Sequence, residues 1–138
     1  MGYSLDLLKQ IAHGLAQQFG DSCEIVIHDV RHGIENTILY IENGHVTDRK
    51  SGDSASNVVL EAIKADPSTL QDQYAYLTKT NDGRLLKSST FYIKDESGTL
   101  AYIFSPSENR MRIRSSTPGA PFGQAVKSCA PACFSFPK

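Results

Sequence analysis

The N-terminal part of the chain repeats an apolar residue at every third or fourth position. This spacing predicts a helix over residues 4–19, with Ser4 as its N-cap and Gly20 as its stop. The apolar face of that helix consists of Leu5, Leu8, Ala12, Leu15 and Phe19. Because the other face is polar, we expect the helix to lie against a sheet or against a second copy of itself.

The pattern then changes to β-branched runs. Residues 23–30 (CEIVIHDV) predict a first strand, and residues 37–41 (TILYI) predict a second strand that ends in a tight turn at Asn43-Gly44. Val46 and Thr47 follow this turn and extend a short return segment.

A middle helix of about three turns is predicted next, because apolar residues again share one helical face. These residues are Val58, Val59, Ala62 and Ile63. Asp53 or Ser54 is available as the N-cap, and Pro67 lies just past the end of the helix.

Three extended segments complete the regular pattern, at residues 73–79, 85–93 and 99–104. They are joined at Asp82-Gly83 and Ser97-Gly98, which are typical hairpin turns. The element order predicts an α+β fold, a five-stranded antiparallel sheet with helices on one face and an N-terminal amphipathic helix. The space between the sheet and the middle helix is where we expect a small molecule to bind.

The composition changes abruptly after Phe104, because five of the six prolines fall in residues 105–138. We therefore predict a folded domain over residues 1–104 and a Pro-rich, irregular segment over residues 105–138. A change of reading frame, a vector-derived tail and a genuine disordered tail all fit this pattern.

Charge and cysteine content restrict the function classes. Residues 105–138 hold five basic residues against one acidic residue, so the rest of the chain is acidic, which argues against nucleic-acid binding by the main domain. With no leader and no long apolar run, the chain is expected to be cytoplasmic, without a membrane partner. The three cysteines are expected to be free thiols, and Cys129 and Cys133 lack the second ligand pair of a metal site.

Residues 43–53 (NGHVTDRKSGD) place polar and cationic groups between a strand end and a helix start. Backbone N–H groups at such a helix start, together with Arg49 or Lys50, are suited to hold an anion. The alternative is a solvated loop in which Asp53 caps the helix.

Two further polar groups lie on predicted strands. His28 and Asp29 are neighbours on a strand and so point to opposite faces, which favours a structural or ligand hydrogen bond over catalysis. Ser88 and Thr90 share one face, where they either bind a polar ligand or pair across the sheet. Because no phosphate loop and no hydrolase or metalloprotease motif occurs, we do not expect an enzyme.

Three blocks of sequence together resemble one family. They are CEIVIHDV, NGHVTDRKSGDS and TNDGRLLKSSTFYIKDESGTLAYIF, and their order and spacing are similar to those of the YheO-like PAS domain of bacterial transcriptional regulators over residues 4–104. The resemblance implies a ligand-responsive sensor that forms a homodimer, and it names no cofactor. In that family, DNA is bound by a C-terminal helix-turn-helix domain, which this chain is expected to lack.

The resemblance also implies a set of ligand-binding or signalling positions. They are His28, Asp29, Asn43, His45, Arg49, Lys50, Ser88, Ser89 and Thr90. Asp48 departs from the family pattern, which usually has Gly there, and its carboxylate would compete for the Arg49 guanidinium. The leading hypothesis is a signal-input domain, and the alternatives are a dimerisation module that binds no ligand and a small enzyme that uses His28 and Asp29.

Overall fold

The computed structural model describes residues 4–49, 51–52, 57–80 and 82–109. The α-helices are α1 (Leu5–Phe19) and α2 (Asn57–Lys64), and short 3-10 turns occupy Gly44–Val46 and Pro67–Thr69. The strands are β1 (Cys23–Asp29), β2 (Ile38–Glu42), β3 (Gln73–Lys79), β4 (Leu85–Lys94) and β5 (Leu100–Asn109). The predicted order of helices and strands is confirmed.

The five strands form one antiparallel sheet in the order β2-β1-β5-β4-β3. The first and last of the described strands are therefore neighbours, with Ile27 of β1 opposite Phe104 of β5. Gly83 and Gly98 have positive φ in the two predicted hairpin turns. The predicted α+β fold, with one five-stranded antiparallel sheet and helices, is confirmed.

The two helices cover opposite faces of the sheet, which corrects the predicted placement of helices on one face. The outer face carries Ile25, Ile27 and Phe104, which form one core with Leu8 and Ala12 of α1. On the inner face, Ile103 forms a second core with Val59 and Ala62 of α2. Strand alternation separates these two sets, because successive side chains of a strand point to opposite sides. Helix α1 thus lies against the sheet, as its apolar stripe predicts.

Strand β5 corrects one predicted boundary. The sequence suggests an end at Phe104, because Pro106 cannot donate a hydrogen bond, yet the strand continues to Asn109. Ser105 and Ser107 pair with Val26 and Glu24 of β1, so the neighbouring strand keeps this segment extended. Residues 110–138, which include Cys129 and Cys133, lie outside the described residues.

The turn after β2 also differs from its prediction. Asn43 has the expected positive φ of 56°, but a 3-10 turn follows instead of a return strand. The Asn43 Nδ2 donates to the carbonyl oxygens of Gly20 and Cys23, at 3.1 and 2.8 Å, which draws the chain toward the start of β1. In the described part of the chain, no helix is long and apolar enough to cross a bilayer.

Candidate ligand-binding site

A cavity of about 220 Å³ lies between the inner face of the sheet and α2. Its walls mix apolar residues with an unusual number of hydroxyl and charged groups. The lining consists of Glu24, Val26, His28, Thr47, Arg49, Val58, Val59, Tyr76, Thr78, Lys79, Thr80, Leu86, Ser88, Thr90, Ile103, Ser105 and Ser107. We call this space the inner cavity.

Hydroxyl groups form a row across three strands on the floor of the inner cavity. Ser88 Oγ lies 3.0 Å from Thr78 Oγ1 on β3 and 2.8 Å from Ser107 Oγ on β5. Beside this row, Tyr76 OH lies 2.6 Å from Thr90 Oγ1. Each hydroxyl can donate one hydrogen bond and accept others, so the row can reorient to suit a donor or an acceptor.

Glu24 extends the polar row onto β1, because it lies opposite Ser107 in the β1–β5 register. Only 1% of its surface is exposed, and its Oε2 accepts hydrogen bonds from Thr47 N at 3.0 Å and Thr47 Oγ1 at 2.6 Å. Burial raises the pKa of the Glu24 carboxyl, while Thr47 and the nearby charge of Arg49 oppose that rise. Within the described residues, the hydrogen bonds to this buried acid come from the neutral N–H and hydroxyl of Thr47.

Arg49 reaches the inner cavity because of a close backbone approach at Gly44. The Arg49 N–H donates to Gly44 O at 3.0 Å, and a Cβ at position 44 would lie 2.3 Å from Arg49 O. Glycine is thus required where the segment folds back on itself. This contact and the Thr47–Glu24 hydrogen bonds fix the segment that carries Arg49.

His28 is a neutral group in the inner cavity. It is 1% exposed, and its Nδ1 shares a hydrogen bond of 3.1 Å with Thr37 Oγ1. Burial, with a smaller effect of the Arg49 charge, lowers the pKa of His28 to about 4. At neutral pH the ring can therefore donate or accept a hydrogen bond but carries no charge.

The structure brings together four of the predicted site residues and separates the others. His28, Arg49, Ser88 and Thr90 all line the inner cavity. Lys50 lies outside the described residues.

The remaining predicted positions have other surroundings. Asp29 accepts two side-chain hydrogen bonds from Arg31, at 3.0 and 2.8 Å, on the side of the strand away from His28. Asn43 supports the turn after β2, and His45 is exposed. Ser89 lies on the outer face, where its Oγ accepts from Ala75 N at 2.9 Å.

Several residues of the inner cavity were not predicted from the sequence. They are Glu24, Thr47, Tyr76, Thr78, Ser105 and Ser107. A signal for Glu24 was present, because the alternation that separates His28 from Ile25 and Ile27 also places Glu24 on the inner face. The hydroxyls of β3 and β5 lie at the site only because of the register in which the strands pair. That register cannot be read from the sequence.

A second space lies on the outer face, beside α1. This outer groove has a volume of about 490 Å³ and is mostly apolar. Its walls include Ile11, Phe19 and Phe91, and Ile11 and Phe19 are 45% and 57% exposed. Burial raises the pKa of Cys23, which also lines the groove, to about 11, so the thiol stays protonated at neutral pH.

Comparison with known proteins gives a consistent family match. The family model for the YheO-like PAS domain matches residues 2–105. The uncharacterised protein YheO of Escherichia coli K12 is 32% identical over 97 residues, which cover 65% of this chain and 39% of that protein. An uncharacterised protein of Haemophilus influenzae is 30% identical over 88 residues, which cover 64% of this chain and 39% of that protein.

The chain therefore spans about two fifths of the length of these relatives. Among solved structures, a sensory box histidine kinase/response regulator from Burkholderia thailandensis aligns with a TM-score of 0.45 and 13% identity. That alignment covers 88% of this chain and 96% of the other chain.

Proposed function

Because the chain belongs to the YheO-like PAS domain family, we propose that it is a signal-sensing domain that binds a small polar molecule in its inner cavity. PAS domains are in general sensory or regulatory modules rather than catalysts. The observation that carries the proposal is a cavity of about 220 Å³ lined by a buried acid, an arginine, a neutral histidine and a row of hydroxyls. A core that needed only to be packed would favour apolar side chains there.

The signal of the domain would arise from a shift in the populations of its conformations when a ligand binds. A ligand changes output only if it binds one conformation better than another, with typical coupling free energies of about 1–3 kcal/mol. The segment with Thr47 and Arg49 contacts β1 through Glu24, so ligand contacts there would alter its position relative to the sheet. We propose that a dimer transmits this change within a cytoplasmic transcriptional regulator, whose DNA contact requires a helix-turn-helix domain.

The same geometry favours binding over catalysis. In the described part of the chain, the two residues that suggested acid/base chemistry do not act on one site. His28 lines the inner cavity, whereas the Asp29 carboxylate is engaged by Arg31. A general base must lie within hydrogen-bond reach of its partner, and this pair does not converge.

Thermal unfolding in the presence of a broad metabolite panel tests the proposed function. The panel contains organic acids, amino acids, sugars, polyols and nucleobases. We expect at least one compound to raise the melting temperature, because a ligand at about 100 times its dissociation constant adds about 2.7 kcal/mol of stability. The Arg49→Ala variant should lose part of this stabilisation, because Arg49 lines the inner cavity.

Arg84→Ala is the matched control, because the Arg84 side chain pairs with Asp82 at 2.9 Å in the β3–β4 turn and does not line the inner cavity. This variant should respond to the compound as the unmodified protein does. Equal loss in both variants, or a panel in which no compound shifts the melting temperature, would contradict ligand binding at the inner cavity.

A specific observation favours a second candidate function, dimerisation without a ligand. The outer groove and the exposed side chains of Ile11 and Phe19 form an apolar surface beside α1. Apolar surface of this kind marks interaction sites in soluble domains. We propose a second copy of the chain as its occupant, with α1 of each copy contributing to the interface.

A further inference from the structure

The charged groups of the inner cavity lie where β1 meets the segment after β2. Glu24 and Arg49 both line the cavity, and Arg49 is close enough for its charge to lower the pKa of Glu24. Within the described ranges, the third charged residue of the lining is Lys79, whose side chain is exposed. The interior of the cavity thus places one acidic and one basic side chain around the same small space.

The buried carboxylate is suited to a cationic partner. Transfer of a carboxylate out of water costs several kcal/mol unless an opposite charge compensates it. Glu24 is 1% exposed, and its Oε2 accepts from the N–H and the hydroxyl of Thr47, which are both neutral. A ligand ammonium placed beside Glu24 would supply the opposite charge.

Arg49 is suited to the other end of the same ligand. A guanidinium offers five N–H donors in a planar fork that matches the two oxygens of a carboxylate. Arg49 is half-buried, and the Gly44 contact holds its backbone at the cavity wall. Glu24 and Arg49 could therefore bind the two oppositely charged ends of one ligand, which we call a two-ended charge match.

The size of the cavity limits the ligand. A volume of about 220 Å³ is below the range of drug-sized pockets, which is about 300–1,000 Å³, so the cavity suits only a small molecule. We propose that the inner cavity binds a small zwitterion of the α-amino-acid type, with its ammonium beside Glu24 and its carboxylate on Arg49. This inference rests on the proposed function.

Other small polar molecules match the charges less well. A neutral polyol could use the row of Thr78, Ser88 and Ser107, but it would offer no charge to Glu24 or to Arg49. A carboxylate without an ammonium would meet Arg49 and also the like charge of Glu24, which opposes its binding. A zwitterion satisfies both groups and leaves the net charge of the cavity unchanged.

Isothermal titration calorimetry with the full chain tests the charge match. The probes are glycine, alanine, serine, threonine, proline and valine. The matched fragments of threonine are 3-hydroxybutyrate, which lacks the ammonium, 1-amino-2-propanol, which lacks the carboxylate, and butane-1,3-diol, which lacks both charges. We expect at least one amino acid to bind, and removal of either charged group from it to weaken binding by about ten-fold or more.

Two variants test which residue binds each charged group of the ligand. Glu24→Gln keeps the shape of the side chain and should weaken binding of the amino acid, but not of the fragment that lacks the ammonium. Arg49→Gln should weaken binding of the amino acid, but not of the fragment that lacks the carboxylate. Lys64→Gln is the control, because Lys64 is an exposed residue of α2 that does not line the inner cavity, and this variant should bind the amino acid as before. Circular dichroism checks that each variant is folded, and either variant alone can contradict the assignment.

The outcomes separate this inference from the proposed function. If the uncharged diol or another neutral compound binds and the amino acids do not, the zwitterion is wrong but the ligand sensor stands. If the fragments bind as tightly as their amino acid, the two-ended charge match is wrong. If neither these probes nor the metabolite panel binds, the proposed function is itself contradicted.

Discussion

At the scale of single residues, His28 shows how burial sets a charge state. The ring is 1% exposed and hydrogen-bonded to Thr37, and burial lowers its pKa from 6.5 to about 4. The folded protein therefore binds fewer protons at this position than the unfolded chain does between these two values. Stability contributed by neutral His28 is complete above about pH 6.5 and is lost as pH falls toward about 4.

This shift predicts a measurable pH dependence of stability. The pKa difference corresponds to about 3 kcal/mol, so the free energy of unfolding should fall by up to about that amount between pH 6.5 and pH 4. Urea unfolding over this range measures the fall, and His28→Gln, which keeps a hydrogen-bonding amide, should show a smaller one. The comparison is needed because the raised pKa of Glu24 acts in the opposite direction.

His32→Gln is the control for the His28 prediction, because the His32 side chain is 80% exposed. It should leave the pH dependence unchanged. If His28→Gln shows the same fall in stability as the unmodified protein, burial of a neutral His28 is not the cause.

At the scale of elements, the segment after β2 depends on a glycine that has no room for a side chain. Because a Cβ at position 44 would lie 2.3 Å from the Arg49 carbonyl oxygen, Gly44→Ala must displace the backbone that carries Arg49. We expect a loss of about 1–3 kcal/mol in the free energy of unfolding, measured by urea titration, as is typical of overpacking.

Gly14→Ala is the matched control for this glycine, because it lies within α1 and a Cβ there meets nothing within 4 Å. Alanine should stabilise α1 by about 0.5–1 kcal/mol relative to glycine. If Gly44→Ala is as stable as the unmodified protein, the close approach of Gly44 and Arg49 does not constrain this segment.

Most elements could be predicted from the sequence because their signals are local. The apolar stripe of Leu8 and Ala12 predicts α1, and Gly83 and Gly98 mark the hairpins that join the last three strands. The strand that runs past Phe104 could not be predicted, because Pro106 is a local stop signal and its extended conformation depends on pairing with β1.

The candidate site was predicted only in part for the same reason. His28, Arg49, Ser88 and Thr90 belong to blocks with a recognisable pattern, and the structure places them around one cavity. Ser107 of β5 lies 19 residues after Ser88 of β4 in sequence, so their hydrogen bond depends on the register of the two strands. The 3-10 turn after Asn43 likewise could not be predicted from the local residue types, because the hydrogen bonds of Asn43 to Gly20 and Cys23 are tertiary contacts.

At the scale of the whole molecule, the outer groove predicts self-association. Ile11 is 45% exposed at the groove, so a charge there should oppose burial against a second copy. We expect the unmodified protein to sediment as a dimer in analytical ultracentrifugation, and Ile11→Glu to weaken the dimer by about ten-fold or more.

Gln17→Glu adds the same charge at an exposed position of α1 that does not line the groove, so it should leave the dimer intact. A monomer for the unmodified protein at all concentrations would contradict the dimer. Equal weakening by both variants would show that charge on α1, rather than contact at the groove, controls association.

The pairing of the first strand with the last one has a consequence for biosynthesis. Because β1 and β5 are adjacent in the sheet, Cys23 meets Glu108, a contact across most of the described chain. Contacts between residues so far apart in sequence form slowly, and a ribosome must translate β5 before the sheet can close. The hairpins of β3, β4 and β5 can form early, whereas the inner cavity, which has walls on both β1 and β5, is completed last. Ligand present in the cell during translation would therefore act on the final step of folding.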